Sequence, residues 1–161
     1  MATAAGSPFA FPEPWTSPGF LLWRASTSWQ RSVRHALEPH GLTHLQFVLL
    51  AVTWWLESRT HGEAVQTTIS ELAGSDQNTT SDTLRRLERK GLVHRSPGKN
   101  DRRIRIVTLT EQGTALLAAA ATAVETVDRQ YFADPVTQRL LQALADPALH
   151  NDLAGQLTPP L

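Results

Sequence analysis

Apolar side chains recur at three-to-four-residue spacing through most of the chain. After Ser17-Pro18, the series Leu22, Ala25, Trp29, Val33 and Ala36 predicts a helix of about twenty residues. Ser17 is a natural cap with proline at the first helical position, and Pro39 and Gly41 end the run. Thr43 and Gln46 have capping-box spacing, and Leu42 is placed to staple onto Phe47. Leu49, Leu50, Trp54 and their apolar neighbours predict a second, wide-faced and largely buried helix to about Ser58, followed by a polar loop over Arg59–Thr67. Thr68-Ile69-Ser70-Glu71 is another capping box, opening a short helix that passes Ala73 and stops at Gly74. Ser75 or Asp76 caps the next helix, which runs to Lys90 and stops at Gly91. Two short helices joined by a tight glycine-containing turn form a helix-turn-helix.

Beyond Gly91 the period shortens. Val93–Ser96 and Arg103–Leu109 are strand-like, with a Pro97-Gly98-Lys99-Asn100-Asp101 turn between them. In the second strand, Arg103 and Arg105 are expected on one side and Ile104 and Ile106 on the other. Thr110 caps a long alanine-rich helix over Glu111 to Phe132, and Val136–Ala145 is a last short helix. The fold class is mostly α (α+β), a winged helix-turn-helix with a two-stranded β-wing. The expected organisation is an extended arm at 1–16, a first helical segment at 17–41, the winged helix-turn-helix at 42–110, C-terminal helices at 111–146 and a tail at 147–161.

The chain has 161 residues and 41% apolar side chains, enough for one domain with a core. It has no cysteine, which excludes disulfides, Cys-ligated zinc and thiol redox chemistry. No apolar run is long enough to span a bilayer and no secretory signal is evident, so no membrane association and a cytoplasmic location are expected. The 15 basic and 15 acidic residues cancel to a net charge of zero, which taken whole argues against a polyanionic partner. Position reverses that argument. Residues 85–105 hold nine basic side chains and two acidic ones, a net of +7, and the other 140 residues carry −7. Such concentration suits a phosphate backbone, because neutralised phosphates release counterions.

Projected at about 100° per residue, residues 78–90 place Thr80, Leu84 and Leu87 on an inward stripe. Asn78, Ser81, Asp82, Arg85 and Arg89 fall opposite. Recognition helices set their N-terminal residues against base edges and their cations on phosphates. Asn78 suits an adenine edge and Ser81 either base type. Gln77 and Thr79 flank that surface, and Arg86 points sideways toward a phosphate. Asp82 is the exception. It is expected to pair with Arg85 or Arg86, or to accept from a cytosine amino group. The hairpin adds Lys99, Arg102, Arg103 and Arg105, a cationic tip fitted to a narrow minor groove. Asp101 is placed to orient an arginine by a charge-assisted hydrogen bond.

These blocks resemble a known family. Leu42-Thr43-x-x-Gln46-Phe47, Ile69-x-x-Leu72-Ala73, Thr79-Thr80-Ser81, Leu87-Glu88-Arg89-Lys90-Gly91-Leu92-Val93-His94-Arg95, Asp101-x-Arg103, Leu109-Thr110 and Gly113 are similar, in order and spacing, to the MarR family of transcriptional regulators. The resemblance spans about residues 42–113. It implies a homodimer interlocked by its N- and C-terminal helices, with double-stranded DNA as partner. Each recognition helix would enter a major groove of a palindromic site, with Arg103 in the flanking minor groove and Asp101 positioning it. It further implies a repressor released by a small aromatic or phenolic effector. Asp82 departs from the family, which often carries a basic or amide residue there.

The effector site implied by the resemblance lies between the first, second and fifth helices, where Trp23, His44, Phe47, Trp54 and Trp55 are the candidates. The six histidines show no clean i,i+4 pair on one helix, so no metal site and no cofactor are expected. There is no glycine-rich phosphate loop, nucleophile elbow or His-Glu-x-x-His, so an enzyme is not expected. The rival reading is a winged-helix protein-interaction module without a DNA target of its own.

Overall fold

The computed structural model describes residues 10–11, 13–59, 64–99 and 101–144. Most of the arm, the tail at 147–161, His61, Asn100 and His150 lie outside the described residues. The chain divides into two compact units, residues 1–124 and 125–161.

In the first unit, helix α1 (Pro18–Leu37) begins as the sequence predicts, with the Ser17 hydroxyl accepting from the Phe20 amide. A 3-10 turn over Pro14–Thr16 precedes it, where an extended arm was expected. Pro14 presets the backbone for that turn, and Glu13 accepts from Thr16. Helix α2 (His44–Arg59) opens with a reciprocal box. The Thr43 amide donates to Gln46 Oε1 at 3.1 Å, and the Gln46 amide donates to Thr43 Oγ1 at 3.3 Å.

The expected polar loop contains a short strand, β1 (Ala64–Val65), which runs directly into α3 (Gln66–Leu72). The helix therefore starts two residues before the Thr68 box, and no side chain caps it. Pairing of Ala64 and Val65 with a later strand holds Val65 extended and moves the helix start upstream. Gly74 (φ 60°) closes α3, and Asp76 caps α4 (Gln77–Arg89) by accepting from the Thr79 amide at 2.8 Å. Those bonds to Thr79 hold the Asp76 carboxyl below its ordinary pKa. The turn between the two helices is pinned from inside. Ser70 donates to the Ser75 carbonyl at 2.7 Å, and buried Thr80 donates to Ser70 Oγ at 3.2 Å.

Strands β2 (Val93–Pro97) and β3 (Arg105–Leu109) form the wing, with Val93 opposite Leu109 and Pro97 opposite Arg105. The sheet is three-stranded in the order β1-β3-β2, where a two-stranded wing was expected. The second strand starts at Arg105, so Arg103 and Ile104 belong to the turn and do not alternate with Arg105 and Ile106 as strand residues. The turn holds them there, because the Ile104 amide donates to the Asp101 carbonyl at 3.1 Å and the Gly98 amide to the Ile104 carbonyl at 3.0 Å.

The core lies where α2 packs on α3, α4 and β3. Leu49, Leu50, Ile69, Leu84, Leu87 and Val107 are fully buried there, joined by Val33 and Leu37 of α1. Burial of each such side chain contributes about 1.5–3 kcal/mol. Helix α2 is less enclosed than its apolar sequence predicts, since Trp54 and Trp55 are exposed on its outer side. Glu57 of the same helix reaches the wing, where its Oε1 accepts from the Leu109 amide at 3.1 Å. Burial pushes its carboxyl pKa up, and that amide bond only partly offsets the shift.

Helix α5 (Glu111–Tyr131) starts at Thr110, whose Oγ1 accepts from the Gly113 amide at 3.0 Å. The second unit contains the end of this helix and α6 (Pro135–Leu144), capped by Asp134, which accepts from the Val136 amide. None of the side chains of α6 is buried, and Val136, Leu140 and Leu141 are exposed.

Gly113 packs flat against the Leu92 backbone, and a Cβ on it would lie 2.0 Å from the Leu92 carbonyl oxygen. Gly113→Ala is expected to lower stability by about 3 kcal/mol or more, since backbone must move to admit the methyl. A urea midpoint equal to that of the native chain would refute the close approach.

Candidate nucleic-acid interface

Helix α4 separates its two faces as the projection predicts. Thr80, Leu84 and Leu87 have no exposed surface. Gln77, Asn78, Thr79, Asp82, Arg85, Arg86 and Arg89 are exposed, and Ser81 is half-exposed. Asp82, Arg85, Arg86, Glu88 and Arg89 line an open cleft on this helix. Asp82 pairs with Arg85, whose Nη1 donates to Oδ1 at 2.6 Å.

The wing turn presents Lys99, Asp101, Arg102 and Arg103 to solvent, and Arg105 is exposed at the start of β3. Asp101 was expected to hold an arginine side chain. Its Oδ1 instead accepts from the backbone amide of Arg103 at 2.8 Å. A carboxylate two residues upstream closes an Asx-type turn more readily than it reaches a long guanidinium. Asp101 thus shapes the loop that carries Arg103. Gly98 is required in the same turn, because a Cβ there would lie 2.8 Å from the Asp101 carbonyl oxygen.

Two of the nine basic residues are engaged by the fold itself. Lys90 Nζ donates to the Gly41 carbonyl at 2.8 Å, joining the end of α4 to the turn before α2. Arg95 of β2 is the residue the sequence reading missed. Its side chain is only 12% exposed, with Nη2 donating to Gln66 Oε1 at 2.7 Å and Nη1 at 3.9 Å from Glu88 Oε2. The Arg95 amide also donates to Glu88 Oε1 at 3.0 Å. Burial pushes the Arg95 pKa down and Glu88 counters it, with Arg85 and Arg105 adding to the depression. One carboxylate therefore ties the recognition helix to the wing, and one guanidinium ties both to the start of α3. Its place in a basic run hid this role, and the one sequence signal was its position within the Leu-Glu-x-Lys-Gly-Leu-Val-His-Arg block.

The aromatic candidates are distributed over α1 and α2. Trp23 of α1 is 62% exposed and stacks loosely on Phe20, with centroids 5.9 Å apart. Trp54 is half-exposed, and the Arg59 guanidinium lies 4.9 Å from the ring of Trp55. His44 meets the edge of Trp29 at 5.2 Å, and Phe47 is half-buried nearby on α2. Trp29 is the additional aromatic that joins α1 to α2. No group of three or more metal-binding side chains occurs among the described residues.

The MarR family model matches residues 42–104, the segment that carries α2 to the wing turn. The HTH-type transcriptional regulator YdcH of Bacillus subtilis (strain 168) is 42% identical over 124 residues, covering 76% of this chain and 83% of its own. The chain belongs to the MarR family. The fold agrees with solved MarR-family regulators. CouR from Rhodococcus jostii RHA1, solved with p-coumaroyl-CoA, superposes with a TM-score of 0.73 at 26% identity, over 85% of this chain and 97% of that one. CouR bound to a 23-mer DNA duplex gives 0.69 at 27% identity, over 92% of this chain and 99% of that one. Bordetella bronchiseptica BpsR, whose DNA binding is regulated by 6-hydroxynicotinic acid, gives 0.72 at 27% identity, over 87% of this chain and 99% of that one. In this MarR-family chain the wing and recognition helix are thus a single cross-braced unit, with Arg95 as the brace.

Arg95→Ala should lower unfolding free energy by about 2 kcal/mol, because charge-assisted bonds to a half-buried partner are lost. Chemical denaturation measures this. A loss below about 0.5 kcal/mol would place Arg95 with the solvated surface cations.

Proposed function

We propose that this chain is a sequence-specific DNA-binding transcriptional regulator, a repressor that sits as a homodimer on a palindromic operator and is released by a small aromatic ligand. The observation that carries the reading is the pairing of a polar-to-cationic helix face with a cationic hairpin tip on one braced frame. Asn78 and Ser81, flanked by Gln77 and Thr79, face base edges in the major groove. Arg86 and Arg89 take phosphates beside them. Lys99, Arg102 and Arg105 hold the flanking backbone, and Arg103 enters the minor groove from the loop that Asp101 shapes. Segments 17–41 and 111–146 supply the dimer contact. Exposed Leu21 and Leu22 of α1 and Val136, Leu140 and Leu141 of α6 support this, because apolar surface of that kind marks interaction sites.

The effector reading rests on the exposed Trp23, Trp54 and Trp55 with His44 and Phe47, together with the aromatic ligands of CouR and BpsR. No helix among the described residues is long and apolar enough to cross a membrane.

Binding to duplex from the chain's own upstream region is expected to weaken steeply with salt. Five phosphate-contacting cations per protomer, ten in the dimer, give a log–log slope of roughly −9. A flat salt dependence, or no duplex bound at low salt, would overturn the regulator reading. Arg103→Ala should reduce operator affinity at least tenfold while the dimer persists in sedimentation. Unchanged affinity would remove Arg103 from the minor groove.

A further inference from the structure

We propose that Asp82 and Arg85 act together to read one G·C base pair in each half-site. The proposal rests on the DNA-binding reading above and adds a base to it. At roughly 100° per residue, Asn78, Asp82, Arg85 and Arg89 lie along the middle of the outer face of α4, opposite buried Thr80, Leu84 and Leu87. A carboxylate in the middle of a face built only to attract phosphates would oppose its purpose. Asp82 therefore needs a different reason to be there. Helix stability is not that reason. The two side chains are 60% and 63% exposed, and an exposed i,i+3 pair adds little.

Geometry supplies the reason. Helical side chains lean toward the N-terminus. The 2.6 Å bond from Arg85 Nη1 to Asp82 Oδ1 places the guanidinium over the preceding turn, beside Asp82. That is the half of a recognition helix that approaches base edges. Among the described residues, Arg86 and Arg89 have no carboxylate within ion-pair distance, which suits them to phosphates. Of the three arginines on this face, Arg85 alone is paired with a carboxylate of the helix.

The chemistry then selects a base pair. A guanidinium has five in-plane donors, and with one engaged by Asp82 four remain, of which an adjacent pair can meet guanine O6 and N7. The other Asp82 oxygen is an acceptor placed for the N4 amino group of the paired cytosine. An A·T pair reverses both contacts. Adenine N6 presents a donor to the guanidinium, and thymine O4 presents an acceptor to the carboxylate. Recognition and rejection thus come from the same two side chains, with the carboxylate as the repulsive element.

The test is selection of duplexes from a random library by the full-length native chain, Asp82→Ala and Arg85→Lys, followed by titration at several salt concentrations. The native chain should select a half-site with one invariant G·C pair, whose replacement by A·T weakens binding about tenfold or more. Asp82→Ala should cut that discrimination to threefold or less while raising affinity for random duplex. Arg85→Lys should keep the salt slope and lose the G·C preference. If Asp82→Ala binds all duplexes more tightly with its preferred sequence unchanged, or behaves as the native chain, the pair is only a surface ion pair and the proposal is overturned. A native chain that selects no duplex would overturn the regulator reading and this assignment with it.

Discussion

A single backbone corner holds the architecture together. Helix α4 ends in a left-handed Gly91 (φ 71°), and the Leu92 amide turns back to the Leu87 carbonyl at 3.0 Å. The Leu92 carbonyl then accepts from the Thr110 amide at 3.1 Å, and Thr110 Oγ1 donates to the Gly91 carbonyl at 2.7 Å. Gly113, with no side chain, lets α5 approach that same carbonyl. The recognition helix, both wing strands and α5 all pass through these few residues. Their relative directions are set largely by hydrogen-bonded backbone, so the corner fixes geometry that apolar packing alone would leave loose.

The charge of the basic segment is divided between two purposes. Lys90 and Arg95 are consumed by the frame, one on a loop carbonyl and one on Glu88 and Gln66. The remaining seven stay at the surface of α4 and the wing. Both acids within the segment are structural as well. Glu88 joins helix to strand, and Asp101 closes the wing turn on the Arg103 amide. The net charge of the segment thus overstates the attraction available outside, while the braces hold the cations of α4 and those of the wing on one frame.

Local hydrogen bonding was legible in the sequence, and pairing across distance was not. Thr43 with Gln46, Asp76, Thr110 and Asp134 cap helices through partners a few residues away, and three of the four follow from the pattern alone. Asp134 was not singled out. The Thr68 box had equal local merit and lost, because Ala64 and Val65 are claimed by β3 from the far side of the chain. Arg95 looked like one more cation because its partners lie on other elements. Trp54 and Trp55 fitted a buried stripe, but one side of α2 is all that α3, α4 and β3 cover. The faces of α4 were readable because a 3.6-residue period leaves little choice once Leu84 and Leu87 are inside.

The covered edges of the small sheet bear on how the protein behaves in solution. With a net charge of zero and an isoelectric point near 7.0, the chain has little long-range repulsion to keep copies apart at neutral pH. An open strand edge would then be a ready template for self-association. Strand β3 is flanked on both sides by β1 and β2. On the outer side of β2, the Arg95 amide is taken by Glu88, and Pro97 has no amide hydrogen to offer. The brace that ties the wing to α4 therefore also removes an amide donor from the outer edge of β2.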